Sequence, residues 1–241
     1  MSESNHHQPE WDEAVTRWYC ENYSEWPSNE FVVEAADLKP DSCVLDIGCG
    51  GGQALRLASA VVTRGRLVGV EPTPLMLQFA KEHKGNAASI EYLAGAAESL
   101  PLANASIDIA WAVNTLHHWR DIPAGLTEAA RVIRPGGRLI LAEDADVTDR
   151  SALSEEALQS ALEQAGFTDF RTVPTQGGKC FVTFTNVTGD RAERLSYRAF
   201  GDNGDCRAVY TVSPLSPLLI GIMGHNYDNR VQAFRPGRSC T

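Results

Sequence analysis

The sequence predicts an α/β fold built on a parallel, doubly wound sheet. Two observations carry that expectation. Short apolar runs near residues 43–47, 66–71, 89–93, 107–113 and 137–143 alternate with helix-like segments near 53–61, 74–83 and 123–133. Such alternation implies parallel strands joined by right-handed crossovers. The first run, Val44-Leu45-Asp46-Ile47, leads directly into Gly48-Cys49-Gly50-Gly51-Gly52 and then a helix-like stretch from Gln53. A buried strand feeding a glycine-rich loop that opens a helix suits a nucleotide-like ligand carrying a carboxylate or phosphate. Glycine permits positive φ and close approach to the backbone, and a helix start presents N–H groups to an anion.

From the amino terminus, residues 1–8 are polar and read as unstructured. Trp11, Val15, Trp18, Tyr19 and Asn22 then recur at helical spacing, with Trp26 continuing the series. The simplest reading packs this aromatic stripe against the sheet; the competing one makes it a helical lid over an apolar substrate pocket. Ser28 is placed to cap a second helix over residues 29–38, and Lys39-Pro40-Asp41 breaks the chain before the first strand. Beyond the fifth strand, Leu158, Ala161, Leu162 and Ala165 form one face of a helix over residues 154–165, capped by Ser154 and ended by Gly166. Residues 170–173 and 181–187 are the last two expected strands. The expected division is a helical segment over residues 1–39, a ligand-binding domain over 40–188, and an irregular tail over 189–241. That tail has no lysine and shows only residues 208–212 as a strand candidate.

Nicotinamide-binding proteins of this architecture use G-x-G-x-x-G. Here Gln53 stands where the third glycine belongs. The acid before the loop and the Gly-x-Gly-Gly-Gly run instead resemble motif I of class I S-adenosylmethionine-dependent methyltransferases. Leu67-Val68-Gly69-Val70-Glu71, Gly95-Ala96-Ala97-Glu98-Ser99-Leu100-Pro101-Leu102, Ile107 to Val113 with Leu116-His117-His118-Trp119, and Arg131 to Leu139 follow in the order that family shows. Together they resemble the subfamily related to ubiquinone and menaquinone biosynthesis methyltransferases, over about residues 40–187. The resemblance implies a Rossmann-like seven-stranded sheet of order 3-2-1-4-5-7-6, with the seventh strand antiparallel; the amino-terminal helices read from spacing precede it. It also implies S-adenosylmethionine as cofactor.

The resemblance places the methionyl end of the cofactor against Gly48, Cys49 and Gly50, with Asp46 nearby as an acceptor or loop-orienting group, or as a structural cap alone. Glu71 lies about twenty residues beyond the loop, where a ribose-binding carboxylate belongs; one carboxylate accepts both hydroxyls. Pro72 and Met76 are candidates for the adenine faces, with a purely core Met76 the other reading. Ala96 stands where family members commonly carry an acid that reaches the adenine amino group, which leaves the backbone of Ala97 to read that edge. Glu98 reads as a solvated charge. Asn114, His117 and His118 follow the fourth strand, on the edge where open α/β sheets bind ligands. His118 is the candidate catalytic residue, taking a proton from the acceptor. No metal site is expected.

A formal net charge of −10 argues against nucleic acid or an anionic membrane as partner. No apolar run approaches the roughly 20 residues of a membrane span, and no signal-peptide core is present. The six cysteines form no C-x-x-C pair, so they read as free thiols of a cytoplasmic protein. The expected function is methyl transfer to a small organic acceptor, releasing S-adenosylhomocysteine. Its rivals are a nicotinamide-dependent oxidoreductase and a non-catalytic cofactor-binding scaffold. The acceptor, its attacking atom and the oligomeric state are not legible.

Overall fold

The computed structural model describes residues 12–23, 27–84, 90–144, 154–175, 178–185, 195–198 and 209–212. Seven strands form one sheet of order β3-β2-β1-β4-β5-β7-β6: β1 (Cys43–Ile47), β2 (Arg66–Glu71), β3 (Ile90–Ala94), β4 (Ile107–Val113), β5 (Ile133–Asp144), β6 (Phe167–Thr175) and β7 (Gly178–Thr185). The first five pair in parallel, whereas β7 runs antiparallel to both β5 and β6. Strands β8 (Leu195–Arg198) and β9 (Val209–Val212) make a separate antiparallel pair. The strand expected over 208–212 is therefore present as β9, paired with β8, a strand not expected from the sequence; the remainder of the expected irregular tail lies outside the described residues, as do residues 1–8.

Strand alternation explains the layers. On β1, Val44 faces a core shared with Val32 and Ala35 of α2 (Pro27–Ala35), Ala54 and Leu55 of α3 (Gln53–Ala58), and Leu77 and Ala80 of α4 (Pro74–Glu82). Leu45 and Ile47 face the other core, with Leu126 and Ala129 of α5 (Ile122–Val132) and Leu158 and Leu162 of α6 (Glu155–Gln164). The sheet is thus covered on both faces, as near-continuous apolar strands require.

Two local details differ from the expectation. Helix α1 (Glu13–Tyr23) buries Thr16 and Cys20, while Trp18 is 55% exposed and Val15 37%. Its inward face lies one step round from the aromatic stripe. Trp11 and Trp26 lie outside the described residues. Ser28 is not a cap, because α2 already begins at Pro27; its hydroxyl instead accepts a hydrogen bond from Asn114 Nδ2 at 3.3 Å. The expected cap Ser154 is in place, accepting from Ala157 N at 3.3 Å, and Gly166 turns with φ 94°.

Candidate cofactor and acceptor site

The carboxyl ends of β1, β2 and β4 open onto one cavity of about 490 Å³, within the usual range of about 300–1,000 Å³ for small-molecule sites. Gly48, Gly50, Glu71, Pro72, Met76, Ala96, Ala97, Asn114 and His118 all line it. Cys49 lines a smaller adjoining space that shares Gly48, Gly50 and Asn114. Asp46 does not reach either wall. It is 3% exposed and sits beneath the loop.

The glycine loop owes its shape to three left-handed residues, Gly48, Gly50 and Gly52 (φ 73°, 50° and 80°). At Gly48 a side chain would also collide with Thr115. Most of the loop's amides are already bonded. Gly48 N and Cys49 N donate to Val70 O at 2.8 and 3.1 Å, and Gly52 N donates to Cys49 O at 2.8 Å. Gly50 N donates to Glu71 Oε2 at 3.0 Å. Helix α3 spans only Gln53–Ala58. The loop therefore offers close approach more than the row of free N–H groups expected from its sequence.

Glu71 ends β2, is 5% exposed, and links the two strands' loops. Its Oε1 accepts from Thr73 N at 2.9 Å while Oε2 holds Gly50. Burial pushes its carboxyl up, and the amide and hydroxyl of Thr73 with the amide of Gly50 pull it back. Each oxygen retains acceptor capacity beyond its one amide. Asp46 is pushed further, to about 7, by burial and by the charge of Glu71. Trp111, its register partner on β4, opposes that rise.

The opposite wall is a turn. Asn114 has φ 50°, and a 3₁₀ turn follows over Leu116–His118. Glu143, near the end of β5 and 6% exposed, accepts from Thr115 N at 3.1 Å and Leu116 N at 2.8 Å through Oε1, and pairs with His117 Nδ1 at 3.0 Å through Oε2. The His117 and His118 rings lie 3.9 Å apart. His118 is drawn below the ordinary imidazole value by partial burial and by its neighbour His117, and the solvent that still reaches its ring limits that fall. Trp119 packs over Gly125 of α5, where a side chain would collide with it. Tyr19 of α1 and Arg120 complete the rim.

Sequence reasoning missed two of these groups. Glu98 is no free charge: its Oε1 accepts from Arg120 N at 2.7 Å and Asp121 N at 3.1 Å, tying the adenine-side loop to the start of α5. Glu143 is the last residue but one of β5, after an ordinary apolar run, and nothing adjacent in sequence marks it. Among the described residues, no group of three or more His, Cys, Asp or Glu is placed to hold a metal, and no helix is long and apolar enough to cross a membrane.

S-adenosylmethionine fits this arrangement. The loop cannot accept a side chain at Gly48, a buried acceptor-only carboxylate faces the cavity, and Pro72, Met76 and Ala97 supply an apolar slot. Comparison with known proteins agrees. Residues 45–141 match the family described as "Methyltransferase domain". The chain is 32% identical over 146 residues to a ubiquinone biosynthesis O-methyltransferase of Rhizobium johnstonii, covering 59% of this chain and 55% of that one. It is 41% identical over 98 residues to a malonyl-[acyl-carrier protein] O-methyltransferase of Hahella chejuensis, covering 40% and 34%. The chain thus spans between a third and just over half of these relatives' own lengths. A solved SAM-dependent methyltransferase from Aquifex aeolicus superposes with TM-score 0.62 at 23% identity, covering 73% of this chain and 98% of that one, and shares the fold. Residues 45–141 thus carry a methyltransferase domain, on the Rossmann-like fold that S-adenosylmethionine-dependent methyltransferases share.

Proposed function

We propose that the protein transfers a methyl group from S-adenosylmethionine to a small, partly apolar organic acceptor, releasing S-adenosylhomocysteine. The observation that carries this is the single cavity shared by two unlike walls. One is the glycine loop with buried Glu71; the other is the rim of Tyr19, His118 and Trp119. The cofactor supplies an already activated methyl on a positive sulfur. What remains for the protein is to hold it, exclude water and aim the acceptor.

In this reading Glu71 takes the two ribose hydroxyls on the acceptor capacity its amides leave. Pro72, Met76 and Ala97 hold the adenine, and Ala96 leaves room beside it. Gly48, Cys49, Gly50 and Asn114 surround the methionyl end, and Asp46 supports the loop from behind. His118 accepts the hydrogen bond, and then the proton, of the acceptor's attacking group. Its lowered pKa keeps the ring neutral near pH 7, as an acceptor requires. The names of both curated relatives specify O-methyl transfer, which supports an oxygen nucleophile here. The partly aromatic rim and the acidic balance of the chain support a small molecule over nucleic acid.

Calorimetric titration with S-adenosylmethionine, S-adenosylhomocysteine and NAD tests the proposal. Micromolar binding of the sulfur compounds alone is expected. Binding of NAD in preference to them, or of none of the three, would overturn it.

A further inference from the structure

We propose that Glu143 is a positioning residue of this site: its buried carboxylate fixes the 115–118 turn, and with it the imidazole of His118 on the cavity wall, without itself touching cofactor or acceptor. The inference rests on the methyl-transfer reading above. Its own basis is geometric.

Glu143 is absent from the cavity lining, yet it is 6% exposed and meets three donors on one turn. Burying a carboxylate is costly unless each oxygen is matched, and here each is. Oε1 holds the amides of Thr115 and Leu116, and Oε2 holds His117. An ionised carboxylate only accepts, so His117 Nδ1 must carry the proton in this pair. That fixes the tautomer and the plane of the His117 ring. The His118 ring packs against it at 3.9 Å, so its direction follows. The same carboxylate reaches the cofactor side, because the amide it holds belongs to Thr115, the residue that fills the space beside Gly48.

The three elements involved are far apart in sequence. β5 supplies the carboxylate, the turn after β4 supplies the amides it holds, the loop after β1 supplies Gly48, and the cavity lies between. Such a support holds a reacting group to within a fraction of an ångström, the tolerance that transfer by proximity demands.

The test compares wild type with Glu143→Ala and Glu143→Gln by ¹⁵N imidazole spectra and by S-adenosylhomocysteine titration, with thermal melting to confirm folding. In wild type, His117 should show a bonded Nδ1–H. In Glu143→Ala the His118 ring signals should shift and the S-adenosylhomocysteine dissociation constant should weaken by about tenfold, the effect of about one lost hydrogen bond to a charged group. Glu143→Gln keeps an oxygen for the two amides but turns a donor toward His117. It should move the His117 proton to Nε2 while holding affinity within about threefold of wild type, a rescue that loss of fold would not permit. A folded Glu143→Ala with unmoved His118 signals and unchanged affinity would overturn the proposal. If Glu143→Ala does not fold, an unaltered His117 tautomer in Glu143→Gln would overturn it equally. Wild type that bound no S-adenosylhomocysteine would overturn the functional reading instead. The ring signals need no ligand and would still decide what Glu143 holds.

Discussion

The two walls of the cavity are built on different plans. The β1–β2 wall is mostly backbone: Gly48 and Gly50 sit in one left-handed loop, and a hydrogen bond from Gly50 N to Glu71 Oε2, 21 residues on, joins its two loops. The β4–β5 wall is a turn propped by a side chain. Glu143 reaches back 26 to 28 residues to hold the turn that carries His118. The first wall uses backbone shape and one carboxylate to hold a constant ligand. The second uses side chains on a propped turn, which is where an acceptor-specific surface can vary without disturbing the first. If the walls divide labour this way, changes in the first should cost binding of the cofactor, and changes in the second should cost chiefly transfer except where, as at Glu143, they act through Thr115 on Gly48.

The largest expected effect is at Glu71. Glu71→Ala removes the partner of two amides and, in our reading, of two ribose hydroxyls. Hydrogen bonds to a charged group are worth about 1.5–3 kcal/mol each, so S-adenosylhomocysteine affinity should fall about 100-fold or more. A dissociation constant within threefold of wild type would remove Glu71 from the site. Next comes Gly48→Ala. The residue sits at φ 73° and faces Thr115, so the change forces about 1–3 kcal/mol of backbone strain and displaces Thr115 as well. Binding should weaken by about tenfold or more, and the His118 ring signals should move, because the walls meet at this contact. Loss of affinity with an unmoved His118 would show that the walls are independent.

The same contrast explains what the sequence revealed. The limits of β1, β2 and β4 were legible because each is an apolar run bounded by turn residues, and the loop after β1 is its own motif. The order of the sheet and the antiparallel β7 came through resemblance, since periodicity alone does not tell which strands are neighbours. Ser28 looked like a helix cap because caps are short-range patterns, but Pro27 starts the helix a residue earlier and frees that hydroxyl for Asn114. The aromatic stripe of α1 has correct helical spacing, yet spacing does not decide which face turns inward. Thr16 and Cys20 are small enough to let α1 approach α4, and Trp18 is left outside. Glu98 and Glu143 each bind amides more than twenty residues away, and a carboxylate's distant partners leave no mark beside it in sequence.

A smaller, pH-dependent effect is expected at Asp46. Its folded value of about 7 lies above the ordinary 3.8, so the folded protein holds a proton that the unfolded chain gives up. Stability from this group is fully present below about pH 4 and is lost as pH rises through about 7. Asp46→Asn should therefore change little at pH 4 and stabilise progressively up to pH 7, by at most about 4 kcal/mol for a shift of three units. His118 contributes the opposite slope, because its lowered value favours the folded state at higher pH. Between pH 4 and about 6.5 the melting temperature of Asp46→Asn should therefore fall less, or rise more, than that of wild type. A variant whose melting profile paralleled wild type across that range would show that Asp46 is ionised in the folded protein.

The smallest effect on binding, and the sharpest test of divided labour, is His118→Ala. The ring is exposed to solvent on the acceptor side. Exposed substitutions away from caps and networks usually change free energies by less than about 0.5 kcal/mol, so S-adenosylhomocysteine affinity should stay within about twofold. Transfer to any acceptor that the wild type accepts should nevertheless fall by about 10²- to 10⁴-fold, the usual contribution of a positioned proton acceptor. Equal losses in binding and transfer would mean that His118 belongs to the cofactor wall. Unchanged transfer would mean that the acceptor arrives already deprotonated, and that the turn held by Glu143 serves to shape the acceptor's path rather than to move its proton.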